Sequence, residues 1–105
     1  MKPTSDPSFC ADKMKVLSDQ TRLFVLEQLL EGSKNVSELN GLLKIDQSLL
    51  SHHLKVLRDA GLVQTRREGK TVRYAIAPGV RSSAPQSIEL GCCRISFAGL
   101  PKRKP

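Results

Sequence analysis

Between Asp46 and Ile76 the chain reads DQSLLSHHLKVLRDAGLVQTRREGKTVRYAI, and two hydrophobic periods meet inside it. In the first part Leu50, Leu54 and Leu57 recur at the i, i+4, i+7 spacing of one helix face. Asp46 stands where an N-cap belongs and Gly61 where a helix stops. The opposite face carries Gln47, Ser48, Ser51, His52 and Lys55, short or flexible hydrogen-bonding side chains that can reach base edges. After Gly61 the pattern changes. Residues 62–67 and 71–76 are rich in β-branched, aromatic and basic side chains, and Glu68-Gly69-Lys70 lies between them as a hairpin turn. Val72, Tyr74 and Ile76 alternate toward one face, leaving Arg73 on the other beside a tip with Arg66, Arg67 and Lys70, placed for phosphates or a minor groove. A recognition helix followed by a wing points to duplex DNA. The alternative is an amphipathic helix and hairpin whose charges only keep the chain soluble.

Charge distribution separates the two. Residues 1–60 hold eight Lys/Arg and eight Asp/Glu, whereas residues 61–105 hold nine against two, so the whole net charge of +7 belongs to the hairpin and the C-terminal residues beyond it. A basic patch confined to one part of a chain is an electrostatic footprint for a polyanion.

Upstream, three short helices are expected. The first spans residues 8–17, with Phe9, Met14 and Leu17 as buried positions. Ser18-Asp19 caps a second over residues 20–30, apolar at Leu23, Leu26, Leu29 and Leu30, and Gly32 ends it. Asn35-Val36-Ser37-Glu38 fits a capping box opening a third, with Val36, Leu39, Leu42 and Leu43 inward and Lys44-Ile45 as the turn into Asp46. Third helix, tight turn and recognition helix make a helix-turn-helix. The expected fold is therefore α+β, mainly helical: a winged helix-turn-helix domain with a two-stranded wing, dimeric because so small a core is marginal alone. Its organisation divides into a flexible N-terminus (1–7), the DNA-binding domain (8–80), a C-terminal segment with a cysteine pair (81–97) and a basic tail (98–105).

Leu17-Ser18-Asp19-Gln20-Thr21-Arg22-Leu23, Val36-Ser37-Glu38-Leu39, the run from Gln47 to Val63, Arg67-Glu68-Gly69-Lys70 and Tyr74 together resemble the ArsR/SmtB family of metal- and metalloid-responsive winged-helix repressors, over about residues 10–78. The resemblance implies a homodimer that binds an operator of two-fold character and leaves it when an inducer binds. It also implies a dimer interface built from the first helix and the region beyond Arg81. Two inducer sites known in such repressors have no counterpart. Where the family carries Glu-Leu-Cys-x-Cys, this chain has Glu38-Leu39-Asn40-Gly41-Leu42. After Ile76 there is no His or Asp and only one carboxylate side chain, Glu89, which argues against a zinc or nickel site of nitrogen and oxygen donors.

Cys92-Cys93 and Cys10 remain. Thiolates are soft donors, and adjacent cysteines serve trivalent arsenic, antimony and soft metals in similar repressors, so arsenite or antimonite is the expected inducer, with Cys10 as a third sulfur. Neighbouring side chains of a flat strand point to opposite faces, so Cys92 and Cys93 can share one ion only if the backbone bends; Gly91 permits a bend, and residues 87–97 show neither a helical nor an alternating pattern. The competing readings are a redox or persulfide sensor, in which Cys10 pairs with one of the two because a vicinal disulfide is strained, a Cd/Pb/Zn sensor, or plain buried thiols. His52 is expected to face DNA, and His53 to be half-buried and hydrogen-bonded rather than a metal ligand.

No nucleophile–base pair or phosphate loop is present, so no catalytic residue and no obligatory cofactor are expected. A winged helix that only docks proteins is the reading from another class. No apolar run of membrane-spanning length and no signal-like N-terminus occur, and an odd cysteine count is no disulfide framework, so the expected compartment is the cytoplasm, without a membrane partner.

Overall fold

A computed structural model describes residues 7–98. The expected flexible N-terminus (1–7) and basic tail (98–105) lie outside the described residues, save for Ala98 and for Pro7, which opens the first helix. Proline suits that position because its missing N–H has no intrahelical partner there.

Four helices come first: α1 (Pro7–Leu17), α2 (Gln20–Glu31), α3 (Val36–Leu43) and α4 (Gln47–Asp59). A short strand, β1 (Lys34–Asn35), separates α2 from α3, and the hairpin β2 (Val63–Glu68) and β3 (Thr71–Ile76) follows α4. The second hairpin, β4 (Ser87–Glu89) and β5 (Arg94–Ser96), closes the described chain. The two-stranded wing, β2 and β3, is joined by β1 on the other edge of β3, which gives a three-stranded antiparallel sheet of order β1-β3-β2.

Local chemistry sets the helix ends. Asp19 caps α2 by accepting from the Arg22 N–H at 3.0 Å. Asn35 and Glu38 exchange side chain-to-backbone bonds of 2.8 and 2.9 Å, the reciprocal capping box expected for α3. Lys44 ends α3 in the left-handed region at φ 56°, where the Asn40 side chain accepts the Ile45 N–H at 3.0 Å. That turn delivers Asp46 as the cap of α4. The end of α4 falls at Ala60, and Gly61, at φ 79°, turns the chain toward the wing.

Val25, Leu26, Leu29, Leu39, Leu50, Leu54 and Leu57 have no exposure and form the centre of the core, with Leu17, Leu62, Val63 and Ile76 around them. Ile88, Leu90 and Phe97 join the same cluster, so the second hairpin is part of the domain. Arg81 fastens its entry by donating to the Leu30 carbonyl at 3.0 Å and that of Leu29 at 3.4 Å, a cation at the C-terminus of α2. Three expected core positions are corrected, and the first is Phe9, which is half-buried and stands outside the core cluster. Met14 is 52% exposed and Leu42 50%, because each sits at the edge of its helix's apolar stripe and no described element covers that edge.

Candidate nucleic-acid interface and thiol centre

On α4 the buried face is Leu50, His53, Leu54 and Leu57, and Gln47, Ser48, Ser51, His52 and Lys55 are all exposed on the other side. His53 is held rather than displayed. The Arg22 guanidinium donates to its Nδ1 at 3.2 Å, while Arg22 Nε donates to the Val16 carbonyl at 2.6 Å, locking α2, α4 and the end of α1 together. Asp19 lies 4.0 Å from the same imidazole nitrogen. Partial burial works against the Asp19 carboxylate, but the Arg22 N–H and the electrostatic pull of the neighbouring His53 and Arg22 side chains outweigh it and hold the carboxyl below its ordinary range. Lys55 makes an exposed i,i+4 pair with Asp59 at 2.8 Å, a weak contact that a phosphate can exchange.

The wing turns at Gly69-Lys70, with Glu68 opposite Thr71 as the last pair, so Glu68 is a strand residue and not part of the turn. The register separates the cations that the sequence placed together. Arg66 lies opposite Arg73, on one face; Arg67 lies opposite Val72, on the other. Arg67 and Lys70 are exposed and outside every ion pair among the described residues. Arg73 is more enclosed: it donates to Glu68 at 2.9 Å, to the Ser33 carbonyl at 2.9 Å and to Glu38 at 3.4 Å. Through Glu38 it ties the wing to the capping box of α3, a bracing contact that a lone Arg in a strand pattern does not reveal.

The second site is built by α1 and the β4–β5 turn. Gly91, at φ 96°, lets the chain reverse over Gly91-Cys92, and Leu90 N–H donates to the Cys93 carbonyl at 2.9 Å. Glu89 shapes the same turn by accepting from the Gly91 N–H at 3.1 Å and from Arg94 at 3.4 Å. Because Cys92 and Cys93 lie between the strands, the opposite-face rule for a flat strand does not separate them. The Sγ atoms of Cys10, Cys92 and Cys93 all fall within 4.8 Å of one another. Cys10 and Cys92 are joined as a disulfide with their Cα atoms 6.1 Å apart, and Cys93 is a free thiol. All three are half-buried.

A link between the sites runs through a residue that the sequence did not single out. Lys13, one helical turn after Cys10, donates its ammonium to the carbonyl of Ala60, the residue that ends α4. The ammonium also lies 5.3 Å from the Phe9 ring centre. Its partner is 47 residues away, so no local pattern could have announced it.

Residues 19–65 match the family described as bacterial regulatory protein, arsR family. A probable mercury resistance operon repressor of Streptomyces lividans is 33% identical over 100 residues, covering 87% of this chain and 80% of that protein. The chain belongs to the ArsR family. Among other ArsR-family relatives, the transcriptional activator HlyU of Vibrio cholerae is 42% identical over 64 residues, which span 61% of this chain and 59% of that protein. The arsenical resistance operon repressor of Escherichia coli is 37% identical over 76 residues, 71% of this chain and 65% of that one. The solved structure of reduced HlyU superimposes with a TM-score of 0.64 at 38% identity, covering 67% of this chain and 74% of that one. The match to these two relatives thus spans about three-fifths of their length. The chain thus carries the winged-helix domain of ArsR-family transcriptional regulators, and regulators of this family bind operator DNA. Among the described residues no helix is long and apolar enough to cross a membrane. All three cysteines fall outside the residues that the family model matches.

Proposed function

We propose that this chain is an operator-binding repressor whose DNA affinity is set by the Cys10, Cys92 and Cys93 cluster, with trivalent arsenic or antimony as its inducer. The observation that carries the reading is the convergence of three cysteine sulfurs within 4.8 Å from opposite ends of the chain. Sulfurs sharing one ion at metal–sulfur distances of about 2.3 Å lie roughly 4 Å apart; reduction frees Cys10 and Cys92 to separate to that spacing, and Cys93 already lies within 4.8 Å of both. Arsenous acid exchanges its three hydroxyls for the three thiols, releasing three waters and closing a trigonal AsS3 unit. Cadmium, lead or zinc would find the same soft donors. The names of the arsenical and mercury repressor relatives accord with a thiol-seeking ligand.

In this reading Gln47, Ser48, Ser51 and His52 read base edges, while Lys55, Arg66, Arg67, Lys70 and Arg73 meet the phosphates. Two copies would present two such helices to an operator of two-fold character. Ligation at Cys10 moves α1, and Lys13 passes the change to the end of α4 at Ala60.

The disulfide favours a second reading of the same centre. Oxidation of Cys10 and Cys92 by hydrogen peroxide removes two protons and two electrons, forms the S–S bond and yields two waters; Cys93 remains a thiol beside it, and two equivalents of an external thiol reduce the bond again. Thiol titration of the reduced chain tests the ligand reading. One equivalent of arsenite should protect all three cysteines from a thiol reagent; protection of two or fewer, or none, sinks the three-sulfur site.

A further inference from the structure

Arg66 and Arg73 face each other directly across β2 and β3, and guanidinium groups so placed repel. Glu68 lies two residues beyond Arg66 on the same face and bonds both. Its Oε2 accepts from Arg66 at 3.2 Å and its Oε1 from Arg73 Nε at 2.9 Å. Among the described residues no other carboxylate engages the pair together. Arg73 keeps further anchors at the Ser33 carbonyl and Glu38, so its guanidinium stays in place even when Glu68 leaves. Arg66 and Glu68 are by contrast open to solvent, with side chains 75% and 42% exposed, so their contact is weak and readily exchanged. The hydrogen bond from Arg73 leads the interactions that keep the Glu68 carboxyl below its usual range, so the group is an anion at neutral pH.

A carboxylate and a phosphodiester offer guanidinium groups the same arrangement of two anionic oxygens. We propose that Arg66 and Arg73 form a phosphodiester site in which the Glu68 carboxylate occupies the anion's place until a DNA backbone phosphate displaces it. The proposal rests on the DNA-binding reading. Its consequence is a built-in limit on sequence-independent affinity. The single Glu68 carboxylate already offsets one of the two positive charges when DNA arrives, so part of the counterion release that drives non-specific binding is forfeited. Arg67 and Lys70 carry no such restraint, and base contacts from α4 are unaffected. The device therefore lowers non-specific binding more than specific binding, in proportion to each one's reliance on phosphates.

The test measures binding of the full reduced chain to a random-sequence duplex across a salt series, for wild type, Glu68→Gln, Asp12→Asn, Arg66→Gln and Arg66→Gln/Glu68→Gln. Asp12 is an exposed carboxylate on α1, so its variant changes net charge equally without touching the wing. Glu68→Gln should bind several-fold tighter at low salt, with a slope of log affinity against log salt steeper by about one. Asp12→Asn should leave the slope unchanged, and the gain from Glu68→Gln should shrink when Arg66 is already Gln. An unchanged slope in Glu68→Gln, an equal gain in Asp12→Asn, or a full gain without Arg66 overturns the site while leaving DNA binding intact. Failure of the wild type to bind any duplex overturns the DNA-binding reading itself, and the site with it.

Discussion

Opening the Cys10–Cys92 linkage should lower stability by several kcal/mol. The disulfide ties α1 to the β4–β5 turn across a sequence separation of 82. Constraining a loop of that length removes about 4.5 kcal/mol of chain entropy from the unfolded state. The folded state should change little, because α1 is also fastened by Leu17 in the core and Lys13 on Ala60, and the hairpin by Ile88, Leu90 and Phe97. Observed stabilisation usually falls short of the entropic figure, so a loss of about 2 to 4 kcal/mol is expected. Against a total of about 5 to 15 kcal/mol for a domain, that is a large fraction, equivalent to a drop in Tm of roughly 10 to 20 °C. Urea unfolding followed by far-UV circular dichroism, with and without reductant, measures it. Oxidised wild type should have the highest midpoint, reduced wild type and Cys10→Ser should coincide below it, and Cys93→Ser should respond to reductant as wild type does. A gap below about 0.5 kcal/mol, or one abolished by Cys93→Ser, would refute the reasoning.

Replacing Ser51 and His52 by Ala should relax preference among duplex sequences, whereas Arg67→Gln/Lys70→Gln should weaken binding to every duplex and flatten its salt dependence; competition binding with selected and random duplexes separates the two effects. Lys13→Met should leave arsenite binding and ligand-free DNA affinity close to wild type but reduce the fold-change that arsenite produces in DNA affinity, by loss of the contact to Ala60. For pH, the folded-state carboxyl of Asp19 titrates below its ordinary value of 3.8, so its contribution to stability is fully present above that value and is lost as pH falls through the lower folded value. Urea midpoints measured through the acid range should therefore fall less steeply in Asp19→Asn than in wild type.

The helix-turn-helix was legible because its signals are local. The Asn35–Glu38 capping box, the Asp46 cap and the Leu50, Leu54, Leu57 stripe each act within one or two helical turns, and all three stand in the structure. Periodicity gives the direction of a buried stripe but not its width. That is why Leu17 and Leu39 lie in the core while Met14 and Leu42, a turn away on the same helices, do not. β1 has two residues, too few for an alternating pattern, and it exists because Lys34 and Asn35 pair with Tyr74 and Arg73. The turn that brings Cys92 and Cys93 together depends on β4 pairing with β5 and on the hairpin seating Ile88 and Phe97 in the core, neither of which is written in residues 87–97 alone. The proximity of Cys10 and the bridge from Lys13 to Ala60 are likewise long-range products of packing. Residue chemistry could nominate the cysteines, but only the fold could assemble them.

The most direct test is the affinity of the reduced chain for a duplex that it selects from a random-sequence library, measured with and without arsenite for wild type and for Cys92→Ser/Cys93→Ser. The account predicts that arsenite weakens wild-type binding by about 5- to 150-fold, the range of ordinary allosteric coupling, and leaves the double variant unmoved. A wild type indifferent to arsenite, or a double variant that responds as strongly as wild type, would contradict it.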